Sequence, residues 1–202
     1  HVLLPGRAQR PEIVRSGTLS RLRRGVPIDE VKVVARAVAA NPENIRALLD
    51  LLAHPRAYTR IQLQKAAWVL HHAFQRDERG FMLLREKLGH ALDAAQDAAV
   101  LRELLKVLAS PEWTDMETET QRKDALELAV GFLYIDVPVA VHYAALQTIQ
   151  SRVQASAEIT ESIQAMHALN ARLSTEKTPL KGCIERYVTR FHQKLARTKS
   201  PS

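Results

Sequence analysis

Glycine is scarce in this chain, with seven among 202 residues, and aromatic side chains make up only 5%. So few glycines leave little backbone for a phosphate-cradling loop. GxGxxG, the Walker loop and GxSxG are all missing, which removes the usual warrant for nucleotide-binding and hydrolase readings. A single cysteine, Cys183, excludes an intrachain disulfide. No apolar run approaches the roughly 20 residues of a membrane helix. The opening HVLLPGRAQR breaks its apolar stretch too early for a signal peptide. A cytoplasmic protein with no membrane insertion is expected.

What is present favours helix. Alanine, leucine, glutamine and arginine abound, and 46% hydrophobic with 25% charged residues is the balance of a folded soluble chain. In the central stretch AYTRIQLQKAAWVLHHAFQ, residues 57–75, Leu63, Ala66, Ala67, Leu70 and Phe74 share one arc at helical periodicity. Ile61, Trp68 and Val69 lie off that arc, so this helix should have neighbours on both flanks. Polar residues beside prolines mark helix starts: Asn41 before Pro42, Ser110 before Pro111, Asp136 near Pro138 and Thr178 before Pro179. Together these signals predict helices at 28–40, 43–53, 57–76, 78–94, 96–109, 116–135, 138–154, 157–173 and 179–197. Their short connections imply antiparallel neighbours.

Charge separates the ends from the body. Residues 1–26 hold six arginines against Glu12 alone, and Lys194, Arg197 and Lys199 add three charges at the other end. Taking +5 and +3 from the net +7 leaves residues 27–193 at −1. A basic, loosely ordered arm (1–26), a helical domain (27–197) and a disordered tail (198–202) are expected. Basic ends attached to a neutral body are ordinarily solvated, with a nucleic-acid or membrane-surface contact as the alternative.

Leu70, Leu108, Ile149 and Phe191 occupy equivalent late positions in every second helix, at spacings of 38, 41 and 42. Such a period, two helices to each repeat, is the mark of helical-pair solenoids. The segments TRIQLQKAAWVLHH, AAVLRELLKVLAS and VAVHYAALQTI resemble the second helices of HEAT-like or armadillo-like repeats. In particular QKAAWVLHH is similar to a segment of small bacterial HEAT-like proteins. The resemblance spans about residues 40–196. It implies an all-α fold, a right-handed α–α superhelix of about four antiparallel helix pairs. SPEWTDMETET, residues 110–120, departs from a regular array by lengthening one connection.

Catalytic signals are weak. His71 and His72 are adjacent and point about 100° apart on a helix, so they cannot chelate one metal together. His142 and Cys183 fall among apolar neighbours and read as core residues. Glu117, Glu119, Asp124 and Glu127 crowd one helix with nothing basic obviously paired to them. No catalytic residue, metal site or cofactor is expected, and the chain reads as non-catalytic.

Helices starting at 57, 96, 138 and 179 total +8, whereas the alternate set totals −6. In the HEAT-like resemblance the second helices line the concave side, which implies a basic inner surface. The partner-binding face read from this pattern comprises Arg60, Gln64, His71, Gln75, Arg102, Lys106, Arg186 and Arg190, with Arg152 a weaker member. The expectation is a non-catalytic interaction or scaffold module that binds an acidic protein or peptide. The alternative is nucleic-acid binding through the basic concave face and arms, resembling HEAT-like DNA-repair glycosylases in architecture only.

Overall fold

The computed structural model describes residues 28–74, 85–173 and 179–198, and among these every regular element is helical. In chain order they are α1 (Ile28–Ala39), α2 (Pro42–Ala53), a 3-10 turn (Pro55–Ala57), α3 (Arg60–Phe74), α4 (Arg85–Ala94) and α5 (Ala98–Leu108). There follow a single turn α6 (Pro111–Thr114), then α7 (Glu119–Phe132), α8 (Val139–Arg152), α9 (Ser156–Arg172) and α10 (Pro179–Thr198). The basic arm and residues 199–202 of the tail lie outside the described residues. No helix among those described is long and apolar enough to cross a membrane.

The polar–proline signals act as capping chemistry at two of the four places. Asn41 Oδ1 accepts from Glu43 N at 2.9 Å, and Ser110 Oγ accepts from Trp113 N at 3.3 Å, each satisfying an orphan N–H of the following turn. Pro138 is itself the residue before α8, and Asp136 does not cap it. Pro179 opens α10, while Thr178 is outside the described residues.

Two helix starts differ from the sequence expectation for one reason. Thr59 N donates to Gln62 Oε1 at 2.9 Å while Gln62 N donates to Thr59 Oγ1 at 3.3 Å. Thr118 and Gln121 repeat this reciprocal pair at 3.0 and 3.4 Å. Both are T-x-x-Q capping boxes, and they start α3 at Arg60 and α7 at Glu119. Between α5 and α7 the lengthened connection folds into α6, which buries Trp113.

Contacts divide the chain into two compact units, with the boundary between Val100 and Leu101, inside α5. In the first, α1 packs on α2 and α3, and α2 packs on α3 and α4. Val34, Ala35, Ile45, Leu49, Leu63, Leu70 and Phe74 are buried among these helices. Val69 is buried as well, so α3 hides apolar groups beyond its main arc, whereas Ile61 stays exposed. Each large apolar side chain buried in this way contributes about 1.5–3 kcal/mol.

In the second unit α7 packs on α8, α9 on α10, and α8 on both α10 and α6. Buried Thr148 of α8 donates to Leu105 O of α5 at 3.3 Å, tying two helices 43 residues apart. Leu108, Ile149 and Phe191 are buried in this unit, and Leu70 in the first.

Candidate partner-binding surface

On α3, Arg60 and Gln64 stand one turn apart and converge on Asp97. Arg60 Nε donates to Asp97 Oδ2 at 2.7 Å, and Gln64 Nε2 lies 3.1 Å from each carboxylate oxygen. Asp97 in turn caps α5, accepting from Ala99 N at 2.9 Å and Val100 N at 3.3 Å. Partial burial works to raise its pKa. The Gln64, Arg60 and backbone donors outweigh that and hold the carboxyl below its ordinary value. The first part of the expected basic stripe therefore already has an acidic partner in its own chain.

The next part behaves alike. Arg102 Nε donates to Glu103 Oε1 at 2.8 Å, and Lys106 Nζ reaches the same oxygen at 3.3 Å. Glu103 is 3% exposed, so its buried carboxylate is held between two half-exposed cations. His71 stacks on His72 with ring centroids 5.4 Å apart, and Trp68 lies 5.8 Å from the His72 ring. Gln75 lies outside the described residues.

Arg186 and Arg190 on α10 differ. Both are exposed, and among the described residues neither forms an ion pair. Arg190 lies over the Tyr187 ring, 6.0 Å from its centroid, at the edge of cation–π range. Burial pushes the Tyr187 phenol above its ordinary value. The opposite face of α10 buries Leu180, Cys183, Ile184 and Phe191. This leaves the arginines on a fixed helix with their forks in water. Lys194 is used internally, donating to Val153 O at the end of α8.

Arg152 is not part of any exposed stripe. Its side chain is 0% exposed and pairs at 2.6 Å with Glu117, itself 2% exposed. One Nη also donates to Leu108 O at 2.6 Å, and the other to Ser151 Oγ at 3.0 Å. Desolvation lowers the guanidinium's pKa, and the Glu117 carboxylate opposes that shift. Of the four crowded acids, Glu119 as well as Glu117 has a basic partner. Arg122 donates through Nε and Nη2 to Glu119 at 2.8 Å, reaches Glu158 at 2.5 Å, and gives Nη1 to Arg152 O at 2.5 Å. Glu158 Oε2 also accepts the backbone N–H groups of Gln154 and Ala155 at 2.9 and 3.0 Å. Arg122 thus joins α7, the end of α8 and the start of α9, and it holds Glu119 and Glu158 at about 2.

His142 and Cys183 are buried, as their apolar neighbours in the sequence implied. His142 Nε2 lies 3.4 Å from Ile135 O, and burial lowers the imidazole's pKa. Arg172 holds the same loop by donating to Leu133 O and, at 2.6 Å, to Tyr134 O. Among the described residues no three His, Cys, Asp or Glu side chains gather in a metal-binding arrangement. Compared with family models, with curated proteins and with solved structures, the chain matches none of them significantly.

Proposed function

We propose that this protein is a non-catalytic interaction module that binds an acidic protein or peptide, with Arg186 and Arg190 of α10 as its principal anchors. One observation carries the reading. These two arginines are exposed, one turn apart on a packed helix, and have no carboxylate partner among the described residues, whereas Arg60, Arg102 and Lys106 each have one. Arginine forks recognise carboxylates in bidentate geometry, and a pair four residues apart fits two acids of an extended or helical segment. In this reading the helices stack as HEAT-like pairs into a right-handed superhelix whose second helices face the ligand. Supporting it are the packing of α1 on α3, α2 on α4 and α8 on α10, contacts between elements two apart within each unit.

Nucleic-acid binding is the second reading. Arg197 lies within about 40° of Arg186 and Arg190 around the helix, so α10 offers a row of three arginines to a phosphate backbone. A fluorescein-labelled peptide alternating Glu and Ala, and a labelled 20-base-pair duplex, should be titrated at about 50 and about 200 mM salt. The acidic-partner reading predicts saturable peptide binding tighter than duplex binding at the higher salt. Duplex binding that is tighter at both salts, and falls steeply between them, contradicts it and favours the second reading.

A further inference from the structure

The first unit holds a concavity of about 290 Å³ beside the Arg60–Asp97 pair. Leu52, Pro55, Leu63, Ala95 and Val100 supply its apolar lining, with Leu52, Leu63 and Val100 contributing from largely buried positions. Arg56, Arg60 and Asp97 add charge to the lining, and Gln96 adds an amide. The volume is about twice that of an apolar cavity that accepts benzene, enough for a body of six to ten carbons or so.

The charges are unequally engaged. Asp97 receives Arg60, Gln64 and two backbone N–H groups, which fills its acceptor capacity. Arg60 gives Asp97 only its Nε, and the side chain remains 77% exposed, so the two Nη groups stay available on a guanidinium already oriented by its bond. Arg56, on the 3-10 turn, is exposed and joins no ion pair among the described residues. Two arginines against one engaged aspartate leave one net positive charge beside an apolar interior. An apolar body alone would leave the guanidinium donors unused, and a cation would be repelled.

We propose that this concavity is a binding site for amphiphilic monocarboxylates, with the apolar tail against Leu52, Leu63 and Val100 and the carboxylate on Arg56 and Arg60. The site shares no residue with α10 and stands whether or not the acidic-partner reading does.

The test is titration of the full chain with sodium octanoate, followed by methyl NMR and calorimetry, with octanol, octylammonium and butyrate as comparison ligands. Octanoate is expected to bind at one site and to shift the methyls of Leu52, Leu63 and Val100. Octanol and butyrate should bind at least tenfold more weakly, and octylammonium not at all. Arg56→Gln leaves the Asp97 clamp intact and should weaken octanoate severalfold. Ala95→Phe fills the space without touching the arginines and should abolish binding. Octanol or octylammonium binding as well as octanoate would overturn the proposal, as would shifts elsewhere in the chain or unchanged affinity in Arg56→Gln. Retained binding in a folded Ala95→Phe protein would do the same.

Discussion

Glu117 and Arg152 form an ion pair at 2.6 Å, almost wholly removed from water, between the segment leading into α7 and the last turn of α8. Arg152 also holds Leu108 O, at the end of α5, so one guanidinium secures three chain segments. Removing one member of such a pair leaves the other charged and buried. Glu117→Ala is expected to cost about 3–5 kcal/mol. The double change Glu117→Leu with Arg152→Met removes both charges and should recover most of that loss. Urea denaturation with an unchanged slope checks both values; equal losses in the single and double variants would mean that the charge pair is not what Glu117 contributes.

The capping box at Thr118 gives a smaller, local effect. Thr118→Ala exposes N–H groups at the start of α7 and should cost about 1 kcal/mol, and Thr59→Ala at α3 about the same. The midpoint of urea unfolding reports each. A loss well under half of that would mean water serves these N–H groups as well as the threonines do.

Acid should weaken the fold in two separate windows. His142 is held neutral, with its pKa below the ordinary 6.5, chiefly by burial and also by nearby Arg172. The unfolded chain therefore binds more protons there, and this contribution is full above about pH 6.5 and shrinks as pH falls below it. Glu119 and Glu158, held at about 2 by Arg122, contribute stability above pH 4.5 that is lost as pH falls toward 2. Urea midpoints at pH 7.5, 5.5 and 3 should fall in that order. His142→Gln should flatten the first step and leave the second. If the variant keeps the full first step, that step has another source.

The sequence makes the helices legible because their apolar residues recur at a period that only a helix can bury on one side. Leu63, Ala66, Leu70 and Phe74 fall on one arc, and all are buried. T-R-I-Q and T-E-T-Q carry the two shifted helix starts in plain view, since threonine three residues before glutamine is a capping signal in itself. The charged interior was not legible. Arg122 reaches Glu158 and Arg152 reaches Glu117 across 36 and 35 residues, distances that no local pattern encodes. The same limit applies to the partner-binding stripe. Arg60 and Arg190 look alike in sequence, and only the fold puts Asp97 against one and leaves the other in water.

The role of the α10 arginines is tested most directly by the charge-reversed variant Arg186→Glu with Arg190→Glu. Both side chains are exposed, so urea stability should change by no more than about 0.5 kcal/mol per site. Titration of the labelled Glu/Ala peptide into this variant and into the unaltered chain then measures the arginines alone. Affinity should fall at least tenfold in the variant. Equal affinity of the two proteins for the peptide would contradict it.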